Sequence, residues 1–192
     1  MDALGQHTRR AGIWLETMRP VWVQIARSDA VTTHEETLGV MCELAIPGVA
    51  SVLESGATKD GEPYFVVANS GEFLDRALAE DAGLELGPAL RVCREAVGLL
   101  NALAAVGVRL PDVDPGRFTL ERSGSLLLTD LAGAGRIDSD ARGGFHFELA
   151  RSFCTDVLDR ARRYIVPVEV KSVVSDSKSC AELSRGLARC RD

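Results

Sequence analysis

The chain has 192 residues, of which 46% are hydrophobic and 26% charged, a composition typical of a globular domain that buries a core without disulfide bonds. Its formal net charge of −6, without any Lys/Arg cluster, argues against nucleic acid as the main partner, because phosphate binding requires a basic face. No apolar run approaches the roughly 18 residues that a membrane-spanning helix needs, and residues 1–10 lack a signal-peptide core. We therefore expect a cytoplasmic protein with no direct membrane insertion.

Before residue 71 the chain reads mainly as strands. A polar lead-in through residue 10 precedes "GIWLETMRPVWVQIARSD", which predicts two short strands around Met18-Arg19-Pro20. The stretch "TTHEETLGVMCELA" predicts a short helix that stops before Pro47, with Thr33 and Glu36 at capping-box spacing. The next segment, "GVASVLESGATKDGEPYFVVANS", predicts a hairpin that turns at residues 59–62.

After residue 71 the hydrophobic period changes from two to 3.6 residues, which predicts helices. One helix covers "EFLDRALAE", and a long one runs from Pro88 through Val106, where Gly107 is well placed to end it. A small hairpin in "RFTLERSGSLLLTDL" turns at residues 123–124. Further helices are expected from Phe145, after Pro167 and after a Ser179 cap. The buried stripe of the long helix is predicted to contain Leu90, Cys93, Val97, Leu100 and Ala104.

Cysteine and histidine spacing gives no support for a metal site. The five cysteines are widely spaced, without a CxxC pair, and are predicted to be buried free thiols rather than metal ligands. The three histidines also lie far apart, so neither a zinc site nor a catalytic triad is predicted. These residues are Cys42, Cys93, Cys154, Cys180, Cys190, His7, His34 and His146.

The stretch "LPDVDPGRF", Leu110 to Phe118, links the long helix to the small hairpin and can be interpreted as a plain turn or as a former catalytic loop. Its spacing favours the second interpretation. "GVRLPDVDPGRFTLERSGSLLLTDLAGAG" follows the spacing from G-x-x-H-R-D-x-x-P-x-N through D-F-G, and "RPVWVQIA" looks like the strand that carries the kinase lysine. In order and spacing, residues 12–190 resemble the bilobal protein kinase fold, especially that of bacterial Ser/Thr kinases.

The resemblance implies an α+β chain with a small antiparallel-sheet N-lobe over residues 1–70 and a reduced, mostly helical C-lobe over residues 71–192, together one kinase-like domain. Only residues 131–144 separate Asp130 from the next predicted helix, and they contain no A-P-E string. The resemblance therefore implies that the peptide-docking platform of the family is absent.

Carried onto the N-lobe, the family positions are degenerate. The lysine that holds the ATP phosphates falls on Gln24, and its glutamate partner would be Glu36 or a nearby residue, although Glu36 is better interpreted as a capping residue. Trp22 takes the place of the alanine above the adenine and is expected to fill that space. Only Gly5 and Gly12 remain of the glycine-rich loop, which leaves open whether the first strand of the family is present.

The catalytic-loop positions are also altered. Asp112 keeps the place of the base, and Asp130 that of the metal-binding aspartate, whereas Asp114 replaces the lysine and Arg117 the metal-binding asparagine. We predict that Arg117 pairs with Asp130, or as a second choice with Asp112, so that a guanidinium takes the metal's position. The competing interpretation is that Asp112 and Asp130 are turn caps. Leu110 and Pro111 replace the His and Arg of the motif.

These substitutions imply a pseudokinase without cofactor or metal. Each missing electrostatic partner costs about 10²–10³ in phosphoryl-transfer rate, and four are missing or reversed. The resemblance implies a protein partner, such as an active kinase, a phosphopeptide-reading domain or cell-envelope machinery, and leaves self-association open. One alternative is a nucleotide-binding sensor or atypical phosphotransferase that uses Asp112 and Asp130 with one metal. Another is an unrelated α+β interaction protein, without a hinge at residues 68–71.

Overall fold

A computed structural model describes residues 7–26, 37, 39–40, 45–69, 71–79, 83–131, 133–137, 146–161 and 166–190. The α+β class is confirmed, because these residues form antiparallel sheets and helices. The strands are β1 (His7–Trp14), β2 (Arg19–Ala26), β3 (Val52–Ala57), β4 (Pro63–Ala68), β5 (Gly71–Phe73), β6 (Val108–Arg109), β7 (Phe118–Glu121), β8 (Leu126–Leu128) and β9 (Gly135–Arg136). The helices are α1 (Leu74–Ala79), α2 (Leu86–Ala105), α3 (Phe147–Arg160), α4 (Val168–Asp176) and α5 (Cys180–Arg189).

The first sheet has the order β1-β2-β4-β3 and contains the predicted hairpin strands. The expected lead-in through residue 10 is wrong, since β1 already begins at His7 and Arg9 pairs with Gln24 of β2. The turn lies at residues 15–18 rather than around Met18-Arg19-Pro20, and Met18 adopts a left-handed φ of 54°. Gly12 lies within the regular β1 ladder opposite Val21, so it is part of a strand and not of a loop.

The hairpin of β3 and β4 is confirmed. The backbone N–H of Thr58 donates to the carbonyl of Glu62, and Gly61 sits in the turn with a φ of 80°, a conformation that glycine adopts without strain. β4 supplies the buried residues Phe65, Val66 and Val67. The helix that was predicted before Pro47 lies mostly outside the described residues, as do Thr33, Glu36 and Cys42. Residues 37, 39 and 40 of this segment are described, and they are helical.

The second sheet has the order β5-β7-β8 and is fastened to the segment that precedes β3. The backbone N–H of Ala50 donates to the carbonyl of Leu128 at 2.9 Å, and the N–H of Leu128 donates to the carbonyl of Gly48 at 2.7 Å. The small hairpin of β7 and β8 is confirmed, with Gly124 at a φ of 83°. These bonds join β8 to residues 48–50, the segment that leads into β3 of the first sheet.

The helices enclose the main core. α2 begins two residues before the predicted Pro88, and Gly107 follows it with a φ of 74°. Its predicted stripe is buried except for Ala104, which is half-buried. The later helices confirm the predicted order, and the Ser179 hydroxyl accepts a bond from the N–H of Glu182 at the start of α5. None of the helices in the described part of the chain is long and apolar enough to cross a bilayer.

Candidate functional site

The site forms where "LPDVDPGRF" meets the end of the small hairpin. Residues 115–117 form a 3-10 turn, after which Phe118 pairs with Leu128 across the antiparallel ladder. The carbonyl of Arg117 accepts bonds from the N–H groups of Thr129 and Asp130, at 3.0 and 3.1 Å. The ladder register therefore places Arg117 beside Asp130, although 13 positions separate them in the sequence.

Arg117 is bound mainly by Asp112. Its Nε donates to Asp112 Oδ1 at 2.5 Å and its Nη2 to Oδ2 at 2.9 Å, a bidentate geometry in which both carboxylate oxygens are used. Its Nη1 lies 3.8 Å from Asp130 Oδ1. Arg117 therefore forms ion pairs with both predicted carboxylates, and the tight turn gives it a bidentate contact with the second choice, Asp112, five residues earlier.

The Arg117 side chain is buried, with 2% of it exposed, and it carries a stabilised positive charge. Burial by itself lowers the pKa of the guanidinium. The hydrogen bond to Asp112, with the charges of Asp130, Asp112 and Asp114, overcomes that effect and leaves the pKa above its ordinary value. A fixed cation thus occupies the centre of the loop.

Asp130 is bound by a second arginine, Arg9 of β1. Arg9 Nη2 donates to Asp130 Oδ2, and Nη1 donates to the carbonyl of Gly116 at 2.6 Å. The Arg9 guanidinium also lies over the ring of Phe73, 5.0 Å from its centroid. β1 is thereby tied to the loop at two points. No local pattern in the sequence indicates Arg9, because its position opposite Gln24 follows only from a β1 that begins at His7.

Gln24 and Trp22 lie on that same face of β2. Gln24 is buried, and its Nε2 donates to the carbonyl of Thr129 at 2.6 Å, directly before Asp130. The indole of Trp22 packs against Phe73, with ring centroids 4.6 Å apart. Three buried polar atoms here have no hydrogen-bond partner among the described residues, namely Trp22 Nε1, Gln24 Oε1 and Thr119 Oγ1. Each such atom costs about 1–3 kcal/mol when it is buried without a partner. We call the region bounded by Trp22, Gln24, Phe73 and Asp130 the cleft, and Arg9 closes it through its bonds to Asp130 and to the Gly116 carbonyl.

The side chain of Asp114 caps the 3-10 turn and binds only the local backbone in the contacts that the structure describes. Its Oδ1 accepts a bond from the N–H of Gly116 at 2.7 Å and caps the 3-10 turn, while its side chain stays at the surface. The turn-cap interpretation therefore applies to Asp114, whereas Asp112 and Asp130 are held in ion pairs. Glu36 lies outside the described residues.

His146 supports the loop from the start of α3, a role that the sequence did not indicate. Its Nε2 accepts a bond from the N–H of Leu110 at 3.2 Å, which requires the neutral, Nδ1-protonated ring. Burial lowers the pKa of His146, and its interaction with the backbone of Leu100 partly opposes that shift. The imidazole is thus a neutral structural group beneath the loop.

The arrangement does not fit a divalent cation. Asp112 and Asp130 are the acidic pair that a metal would use, and each is already in contact with an arginine of the same chain. Within the described ranges, no group of three or more His, Cys, Asp or Glu side chains is placed to hold a metal. No protein-family model matches this sequence, and no curated protein matches it.

Proposed function

We propose that this chain is a catalytically inactive, protein-kinase-like domain that acts as a scaffold or allosteric regulator of a protein partner. The observation that carries the proposal is the pair of arginines at the two aspartates, Arg117 on Asp112 and Arg9 on Asp130. In an active kinase these carboxylates orient the substrate hydroxyl and bind the metal. Here both charges are neutralised from within the chain.

The remainder of the cleft supports the same proposal. Gln24, at the position of the phosphate-binding lysine, is neutral and bonded to a backbone carbonyl. Trp22, at the ceiling of the proposed adenine site, packs on Phe73 where a base would stack. β4 ends at Ala68 and β5, in a different sheet, begins at Gly71, which suits a connection between two lobes of a kinase-like domain.

A thermal-shift titration with ATP and either Mg²⁺ or Mn²⁺ tests the absence of nucleotide binding. A ligand at 100 times its Kd stabilises a fold by about 2.7 kcal/mol, so millimolar nucleotide reveals even micromolar binding. We expect no shift for the wild-type chain. A clear metal-dependent shift would contradict the proposal and favour a nucleotide sensor or an atypical phosphotransferase that uses Asp112 and Asp130.

A second titration distinguishes a nucleotide site that is only blocked by side chains from one whose binding groups are lost. The variant that combines Trp22→Ala with Gln24→Lys removes the indole and restores the lysine. If the Trp22 side chain only blocked the site, this variant would show a thermal shift with ATP. We expect the gain to require Arg9→Ala as well, because Arg9 still occupies Asp130. Purification of the native protein with its bound partners would test the scaffold role directly.

A further inference from the structure

The turn between β1 and β2 carries an exposed apolar patch, which we call the hairpin tip. It consists of Ile13, Leu15 and Met18, whose exposed fractions are 60%, 82% and 70%. Trp14, which pairs with Arg19, lies on the other face of the hairpin from Ile13 and is half-buried. Single exposed apolar residues are ordinary, but three large ones in so short a segment expose apolar area of the order of 300–400 Å², comparable to the largest apolar patch of a typical monomer, which is often functional.

The backbone of the hairpin tip gives a second reason to assign it a function. Met18 is the one non-glycine residue with a positive φ among those the structure describes, at 54°. A side chain in this region is strained, and glycine or asparagine would adopt it at lower cost. Folding alone thus gives no reason for an exposed methionine at this position, whereas a contact with another molecule does.

The charges at the hairpin tip are self-complementary. Glu16 and Arg19 are both exposed, and neither forms an ion pair within the described part of the chain. If two tips meet end to end about a twofold axis, Glu16 of each copy can pair with Arg19 of the other, while Leu15 and Met18 of the two turns meet at the axis. A lipid bilayer fits less well, because Glu16 and Thr17 at the apex would enter the apolar phase first.

We propose that the hairpin tip is a symmetric self-association surface, through which two copies of this chain form a weak dimer. Two patches together bury of the order of 700 Å², less than the roughly 1,200 Å² of stable interfaces. The dimer should therefore dissociate in the range of about 10–500 μM, and reach high occupancy where a partner or high local concentration brings two copies together. This surface is separate from the closed cleft, so the inference does not rest on the proposed function.

Sedimentation analysis of the full chain, from low micromolar to about 1 mM, tests the proposal because it spans that range. We expect a concentration-dependent dimer that Leu15→Glu weakens at least tenfold. The matched control is Val168→Glu on α4, another exposed apolar residue at 73% exposure, which should leave dimerisation unchanged. A wild-type chain that stays monomeric throughout, or a dimer insensitive to Leu15→Glu, would overturn the proposal.

A charge-swap experiment tests the symmetry itself. Glu16→Arg and Arg19→Glu each place like charges opposite one another and should each weaken self-association about tenfold or more. An equimolar mixture of these two variants should form a heterodimer about as tightly as the wild type dimerises, since both ion pairs are then present, one reversed and one in its wild-type orientation. A mixture that stays monomeric would overturn the arrangement. Binding of the wild-type monomer to phosphatidylglycerol vesicles, with a blue shift of Trp14 fluorescence and no dimer, would assign the hairpin tip to lipid instead.

Discussion

Arg117 and Asp112 form a bidentate ion pair across a three-residue turn, and the arginine is the buried member of the pair. The Arg117 side chain is 2% exposed, while that of Asp112 is 40% exposed. A carboxylate at this exposure can be hydrated if its partner is lost, but a buried guanidinium cannot. The two residues therefore contribute unequally to stability when either is removed.

Asp112→Ala should destabilise the fold more than Arg117→Met. The first change leaves a buried cation without its bidentate partner, and should lower the free energy of unfolding by about 2–4 kcal/mol. The second change removes the buried charge, so that Asp112 becomes hydrated and Asp130 keeps its ion pair with Arg9. The free energy of unfolding should then fall by about 1–2 kcal/mol. Urea denaturation measures both values. Asp114→Ala, which removes only the cap of the turn, is the control and should cost about 1 kcal/mol or less.

Arg9 is predicted to keep the cleft closed, and its neighbour Arg10 provides a matched control. Arg9→Ala should expose Trp22, because the bonds from β1 to Asp130 and to the Gly116 carbonyl are both lost. Arg10 lies on the opposite face of β1, opposite Val23, and is exposed, so Arg10→Ala should change stability by less than about 0.5 kcal/mol.

Acrylamide quenching of Trp22 fluorescence measures the opening of the cleft. A Trp14→Phe background removes the only other tryptophan, so that Trp22 alone reports. We expect clearly stronger quenching in the Arg9→Ala variant than in the Arg10→Ala variant. Equal quenching in the two would show that Arg9 does not hold the cleft closed.

Much of the local architecture could be predicted because it depends on neighbouring residues. Gly61 and Gly124 mark hairpin turns where a positive φ is required, and the stripe of α2 repeats at helical spacing. Such signals lie within a few residues of the feature they determine. The start of β1 was missed for the same reason, since polar residues such as Arg9 and Arg10 do not show the alternation of a half-buried strand.

The site required long-range information that the sequence does not carry locally. Arg9 and Asp130 are 121 positions apart, and His146 contacts Leu110 from 36 positions away. The resemblance to protein kinases predicted that Asp112, Arg117 and Asp130 form one group, but it did not indicate which carboxylate would make the closer contact with Arg117. That preference depends on the path of the 3-10 turn, which is determined by Pro115, Gly116 and the Asp114 cap.

His146 should make stability depend on pH near neutrality. Burial lowers its pKa in the folded chain below the ordinary value of 6.5, so the unfolded chain takes up a proton that the folded chain resists. The contribution of His146 to the free energy of unfolding is present above about pH 6.5 and is lost as the pH falls from there through the lower pKa of the folded chain. Urea denaturation at pH 7.5 and pH 5.5 should show a smaller loss of stability for His146→Gln than for the wild type, whereas equal losses would contradict this assignment.

Gln24→Lys should be tolerated only when Arg9 is absent. In the wild-type chain the new ammonium would join Arg9 and Arg117 in a buried cleft, and a third cation there should cost about 2–4 kcal/mol. In the Arg9→Ala background Asp130 has lost its contact from β1, and the introduced ammonium can approach it from the strand position that Gln24 now uses to reach Thr129. A double-mutant cycle on the free energy of unfolding should therefore give a favourable coupling of at least about 1 kcal/mol between the two substitutions. Additive effects would show that Arg9 and a lysine on β2 do not compete for Asp130, and that the two arginines alone do not explain why glutamine stands at position 24.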